Sequence, residues 1–302
     1  MTPPADAPKP AVAAAGWIEA TGLGPWAWGG MSTRLGGVSA PPFDSLNLRP
    51  AGLPGPPADA PAAVAENERR LVAILGDSPV WLEQVHGARC VRLGADGRVI
   101  DGEGEAGASG LARADASFTT ERGVVCAVLV ADCLPVLFCV DGGRAVAAAH
   151  AGWRGLAAGV LERTVDALQR ATGCAPGEIR AWMGACIGPQ AFEVGAEVLE
   201  AFGVDSERAI GYSQDSAGAG GTAGQAADAF RFAPRPDGSP RWRADLGLLA
   251  RQRLRSLGLP DAAIRAPAGC TFSEASRFFS YRRDGLTGRM AACIRLSGPA
   301  GR

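Results

Sequence analysis

Three short apolar runs follow one another in the middle of the chain: GVVCAVLV at 123–130, PVLFCV at 135–140 and RAVAAAH at 144–150. Each is too short for a typical buried helix and is bounded by turn residues, so each reads as a buried strand. Asp141-Gly142-Gly143 separates the last two and predicts an antiparallel hairpin. Ala131-Asp132-Cys133 separates the first two. Cys133 then lies just after one strand and His150 at the end of a later one, and the hairpin brings the two together.

The flanks alternate between helical and extended patterns. Residues 61–76 read as a helix with an imperfect apolar face of Val64, Leu71, Val72, Ile74 and Leu75. A second helix is expected over 156–171, a short one over 193–203, and one over 244–257 with leucines opposite arginines. VWLEQV, running into His86-Gly87, reads as a strand; so do the start of IRAWMGACIGP and the C-terminal segment after FFSYRRDG. Residues 1–15 read as a flexible tail. Residues 213–241, rich in Gly, Ala, Ser and Pro, read as a mobile insertion. The remainder, 16–302, reads as one catalytic domain.

Composition narrows the function classes. No apolar run reaches the roughly 18–20 residues of a membrane span. The first residues lack the basic start and apolar core of a secretory signal, so the cytoplasm is the expected location. The net charge of −1 gives no global field for nucleic acid or an anionic membrane. The eight cysteines include no CxxC pair and are expected as free thiols.

Histidine is the scarce functional residue, with only His86 and His150 in 302 residues. Catalytic zinc usually takes three protein ligands and keeps a fourth position open, and two imidazoles with one thiolate suit it. Copper accepts the same donors. QVHG, ADC and HAGWRG offer one such set: His86, Cys133 and His150. Taken singly, each is better explained as core, a hydrogen-bonded histidine or a small buried thiol. Together they sit where strands run out into loops, beside the small residues Gly87, Ala151 and Gly152, and Asp132 offers a carboxylate to orient a ligand.

STRLGGVS, SLNL, QVHG, ADCLPVL, HAGWRG, GPQAFEVG, CT and FFSYRRDGLTGRMA occur in this order from about residue 17 to 296. In these motifs the chain resembles the laccase-like, or polyphenol oxidoreductase, family, whose members are regarded as zinc-dependent purine nucleoside phosphorylases that also deaminate adenosine and cleave methylthioadenosine. The resemblance implies an α+β fold with a mixed β-sandwich core flanked by helices, compatible with the runs read above. It implies zinc, with copper as a substitute, held by His86, Cys133 and His150. It implies purine nucleosides and phosphate as partners, with a second copy of the chain an admissible one. Two segments depart from the pattern: RPAGLPGPP after SLNL, where many members carry His and Gly-Asp, and the long insertion at 213–241.

Phosphorolysis needs cations for phosphate. Arg154, four residues after His150, and Arg34 in STRLGG are candidates, since guanidinium pairs bidentately with phosphate; Arg154 is equally explained as a surface residue of the following helix. Asn47 and Arg283 are candidate substrate contacts, Phe278, Phe279 and Tyr281 candidate stacking faces, Glu193 and Asp132 candidate proton carriers. The HxE…PCxxC signature of zinc deaminases is absent, so deamination rests on the resemblance alone. Two other readings stay open: a metal-free cysteine hydrolase with Cys133 as nucleophile and His150 as base, for instance on cell-wall precursors, and a binding protein with a structural metal.

Overall fold

The computed structural model describes residues 16–55, 59–100, 107–210 and 226–297. Two sheets carry the architecture. The first has the order β1 (Trp17–Glu19), β2 (Ala27–Ser32), β14 (Met290–Leu296), β6 (Val125–Val130), β3 (Pro79–Val80). The second has the order β13 (Ile264–Arg265), β9 (Ile179–Met183), β7 (Leu134–Val140), β8 (Val146–Ala151), β5 (Ala116–Thr119), β4 (Cys90–Arg92). Both are mixed: β3–β6, β13–β9 and β4–β5 pair parallel and the other neighbours antiparallel.

Side-chain alternation along the strands explains how the layers stack. Cys126, Val128 and Val130 of β6 and Met290, Ala292 and Ile294 of β14 share one buried cluster with Leu137 and Cys139 of β7 and Val146 and Ala148 of β8. This is the interior of a sandwich. The opposite residues, Val125, Ala127, Leu129, Ala291 and Cys293, pack against Leu71 and Leu75 of α1 (Pro61–Leu75). On the far side of the second sheet, Val136, Phe138, Ala147 and Ala149 pack against Leu161, Val165 and Leu168 of α3 (Val160–Thr172) and Leu249 and Leu254 of α6 (Leu246–Ser256). The strands are covered on both faces, which is why they read as continuous apolar runs. The whole is a single α+β domain of sandwich and flanking helices, as expected.

The expected hairpin is present: β7 and β8 pair antiparallel, with Pro135 opposite His150. The structure adds that the first and second apolar runs belong to different sheets. The chain crosses between them through Ala131, Asp132 and Cys133 alone, with Asp132 at φ 97°, a backbone few non-glycine residues adopt. Asp132 is fixed there by Thr271 Oγ1 (2.6 Å) and the Arg282 amide (2.7 Å), both donating to its carboxylate.

Several elements differ from the sequence reading. The strand expected through VWLEQV is limited to β3. Beyond it the Gln84 side chain replaces a strand partner: its amide donates to the Leu129 carbonyl (2.9 Å) and accepts from the Leu129 N–H (2.7 Å). The helix expected over 156–171 begins earlier as α2 (Trp153–Ala157) and restarts as α3 after Gly159, whose φ of 91° breaks the run. The helix expected over 193–203 starts as strand β10 (Glu193–Val194) before α4 (Ala196–Ala201) and α5 (Ser206–Ala209). The mobile insertion expected over 213–241 divides. Residues 213–225, like the tail 1–15, lie outside the described residues. Residues 230–232 instead form β11 (Phe230–Phe232), paired with β12 (Trp242–Ala244) beside β10. The burial of Phe230 in the apolar layer on the far side of the second sheet secures a stretch whose composition suggested none.

Leu71 has no solvent exposure and ties α1 to the first sheet. Leu71→Ala is expected to cost about 2–5 kcal/mol, read as a lower urea midpoint with unchanged metal content. A loss below about 1 kcal/mol would show that α1 does not depend on this contact.

Candidate metal centre and cleft

Cys133 projects from the crossover between sheets. His150 shares the parity of Val146 and Ala148 and faces the sandwich at its open end. His86 comes from the loop after Gln84. One ligand atom from each of the three lies within 4.8 Å of the others, and Cys133 Sγ is 3.8 Å from His86 Nε2. The span is wider than the roughly 4 Å implied by Zn–N and Zn–S bonds of about 2.0–2.3 Å. His86 is the exposed member and His150 the buried one, so His86 is the side chain free to close the difference.

A residue that the sequence reading missed organises the centre. Asp115, wholly buried just before β5, accepts from His150 Nδ1 at 2.9 Å through Oδ1. The same oxygen accepts the His86 amide (2.9 Å), while Oδ2 accepts the amides of Gly87 (2.7 Å) and Val85 (3.2 Å). Its backbone carbonyl accepts the His150 amide at 2.7 Å. These bonds hold His86 at φ 59° and leave His150 Nε2 as the nitrogen free for a ligand bond. This is the orienting role expected of Asp132, filled by another acid. Gly152 completes the cradle: a Cβ there would meet Cys133 Sγ at 2.8 Å and His86 Cδ2 at 3.1 Å.

The electrostatics suit a cation. Burial opposes ionisation of Cys133, but the facing imidazoles, His150 first, bring its thiol down to about 6. Burial likewise opposes the His150 cation, while Cys133 and the bond to Asp115 raise it to about 10. Burial opposes the Asp115 carboxylate too; the His150 and backbone donors outweigh it and hold it below its ordinary value. Both directions favour a thiolate at Cys133 and a cation at His150 when no metal is bound. Two nitrogens and a thiolate, a carboxylate behind one imidazole and a glycine-cleared approach fit a metal ion.

The three residues open onto a cleft of about 550 Å³, within the usual range for small-molecule sites. Of the other predicted residues, Arg154 lines this cleft, stacked on Trp153 at 4.3 Å, as do Tyr281 and Asp132, the latter with its carboxylate bonded to Thr271 and the Arg282 amide. The others do not line it. Arg34 bonds Asp44 and the Ala275 carbonyl. Asn47 is buried, bonding Asp59 and accepting from the amides of Arg49 and Arg289. Arg283 clamps the carbonyls of Thr271, Phe272 and Phe278. Phe278 and Phe279 are core residues. Glu193 pairs with Arg235, Arg241 and Arg243. The cleft is instead lined by Arg49, Arg282, Arg289, Leu129, Ile187 and Phe192. Arg49 and Arg289 carry no sequence signal of their own, because 240 positions separate them in a chain where arginine is the ordinary cation.

Comparison with known proteins places this geometry. The family described as multi-copper polyphenol oxidoreductase laccase matches over residues 29–297. The chain belongs to that family. Relatives include the purine nucleoside phosphorylase YfiH of Escherichia coli K12, 46% identical over 88% of this chain and 92% of the relative. The purine nucleoside phosphorylase PA4543 of Pseudomonas aeruginosa is 45% identical over the same shares. Among solved structures, YlmD of Geobacillus stearothermophilus superposes with TM-score 0.74 at 30% identity, covering 94% of this chain and 97% of that one. Neisseria meningitidis NMB0706 gives 0.73 at 37% identity, covering 94% and 100%.

Two outcomes follow from this centre. Asp115→Asn is expected to weaken metal binding about 10–100-fold, measured by chelator competition; unchanged affinity would show that the His86 loop and His150 hold themselves in place. In metal-free protein, alkylation of Cys133 by iodoacetamide should rise with pH through a midpoint near 6, since the thiolate is the reactive form. Buried Cys126 and Cys139, pushed up to about 12, should stay inert. Peptide mass spectrometry across a pH series reads both; a Cys133 midpoint near 8.5, the ordinary thiol value, would exclude the ion pair.

Proposed function

We propose that the chain is a metal-dependent purine nucleoside phosphorylase, with zinc as the native ion at His86, Cys133 and His150. The observation that carries this reading is the convergence of three metal-competent side chains on one cleft; the relatives named purine nucleoside phosphorylase support the reaction class. A phosphate oxygen bonds to the ribose carbon bearing the base. The carbon–nitrogen bond breaks, its electron pair leaves with the purine, and the base takes up a proton. The products are free base and ribose 1-phosphate. Zinc, when bound, supplies Lewis acidity beside the reacting bond. The protein's own residues orient and exclude water. Asp115 fixes the imidazole of His150, Leu129, Ile187 and Phe192 offer an apolar wall to the base, and Arg154 offers its charge at the rim. Adenosine deamination, with water replacing the C6 amino group and ammonia released, belongs to the same proposal.

A second reading has a specific observation in its favour. Cys133, His150 and Asp115 stand in the order of a nucleophile, base and orienting acid, which suits a cysteine hydrolase. His86 discriminates between the two, since a hydrolytic triad has no need of it.

No described helix is long and apolar enough to cross a membrane, and all eight cysteines are free thiols. Both support a cytoplasmic enzyme.

The test is phosphate-dependent release of base from adenosine and inosine, with metal content measured on each variant. His86→Ala and Cys133→Ala should each lower kcat/KM at least about 100-fold and lose metal, and the double variant should be little worse, because residues that act as a unit give non-additive losses. Chelation should abolish turnover and zinc restore it. A metal-free His86→Ala protein with wild-type turnover would sink this reading and favour the hydrolase. Ammonia release from adenosine without phosphate tests the deaminase activity separately.

A further inference from the structure

The cleft contains a pair of cations that the metal centre does not use. Arg49 follows Asn47 and Leu48; Arg289 immediately precedes β14. One residue joins them: Asn47 Oδ1 accepts the amides of both Arg49 (3.2 Å) and Arg289 (2.9 Å). Both side chains line the cleft with His86, Cys133 and His150. Neither forms an ion pair with a carboxylate among the described residues. Arg49 Nη2 donates to the carbonyls of Leu53 (2.9 Å) and Pro54 (2.7 Å), and Arg289 Nη1 to those of Thr287 (3.0 Å) and Gly288 (3.1 Å). Carbonyls orient a guanidinium but do not neutralise it. Arg49 Nη1 is buried without an acceptor, although buried donors are nearly always paired. Burial lowers the proton affinity of both side chains, and the charge of Arg49 lowers that of Arg289 further, while Cys133 and Asp132 across the cleft offset only part of this.

Two like charges held together, one with an unsatisfied buried donor, are costly unless an anion completes them. We propose that Arg49 and Arg289 form the oxyanion seat of this cleft and hold inorganic phosphate for attack on the nucleoside. This rests on the phosphorylase reading above and assigns the phosphate to a site other than Arg34, which is committed to Asp44. Arg154, on the α2 side of the cleft and stacked on Trp153, is left to the nucleoside or the rim. Guanidinium suits the task, since its planar fork binds two phosphate oxygens at once.

Binding of inorganic phosphate to the metal-loaded enzyme, measured by calorimetry, tests the seat independently of catalysis. The wild type should bind phosphate. Arg49→Gln and Arg289→Gln should each weaken binding about 10-fold or more and raise the KM for phosphate by a similar factor. The KM for nucleoside should change less than about threefold, with metal content unchanged. Arg170→Gln, outside the cleft, controls for net charge. Arg49→Lys and Arg289→Lys guard against a folding defect: they keep the charge, lose the fork, and should weaken binding several-fold. Folded variants that bind phosphate within twofold of wild type overturn the assignment, as does a wild type that binds none. A wild type that binds phosphate through these arginines but releases no base keeps the seat and removes the phosphorylase reading.

Discussion

Asp115 is buried away from water, and a bare carboxylate there would be strongly destabilising. It is tolerated because three consecutive backbone amides, those of Val85, His86 and Gly87, and the imidazole of His150 all donate to its two oxygens. The same bonds set the positive φ of His86 and choose which nitrogen of His150 faces the cleft. One side chain therefore couples a loop from the edge of the first sheet to the last residues of β8 in the second. Without it the His86 loop has no other side-chain acceptor for these amides among the described residues.

The position of the centre follows from where the chain changes sheet. A sandwich buries its interior with apolar side chains, so polar chemistry is confined to the ends, where strands give way to crossovers. Cys133 occupies one such crossover. The 83–87 segment is another: Gln84 is bonded to β6 of the first sheet, while Glu83 bridges to Arg113, just ahead of β5 of the second. His150 ends β8 between them. Close approach demands small residues: Gly155 could not carry a Cβ without meeting the Gly87 carbonyl at 2.7 Å. The glycines of HAGWRG are thus a packing requirement of the centre as well as a loop signal.

What the sequence disclosed divides along the same physical line. Buried strands and the β7–β8 hairpin are written in local patterns, and so were legible. The clustering of His86, Cys133 and His150 was legible because histidine is so scarce that two of them in glycine-rich loops stand out. Asp115 was not, since an acid before an apolar strand looks like any solvated loop residue until the fold brings residues 85–87 onto it. Arg34, Asn47 and Arg283 look like contacts because polar residues in dense motifs suggest chemistry. Here they bind backbone carbonyls, amides and neighbouring acids, and hold the loops that shape the cleft. The β11–β12 pair was hidden for the opposite reason: Phe230 and Trp242 anchor a stretch whose surroundings are rich in glycine, alanine and proline.

The family description and the residues point in different directions. Coupled multi-copper oxidation needs several copper ions held largely by imidazole, and the whole chain has two histidines, both in one cluster with Cys133. A phenol is also a poor match to the cleft, whose walls carry Arg49, Arg154, Arg282 and Arg289. Desolvated guanidiniums without carboxylate partners raise the energy of an empty or neutral-filled site and lower that of an anion-filled one. A cleft with three metal-competent side chains, an apolar wall and partly buried cations suits a ligand that is apolar at one end and anionic at the other. A nucleoside base lying beside inorganic phosphate has that distribution, and a polyphenol lacks it.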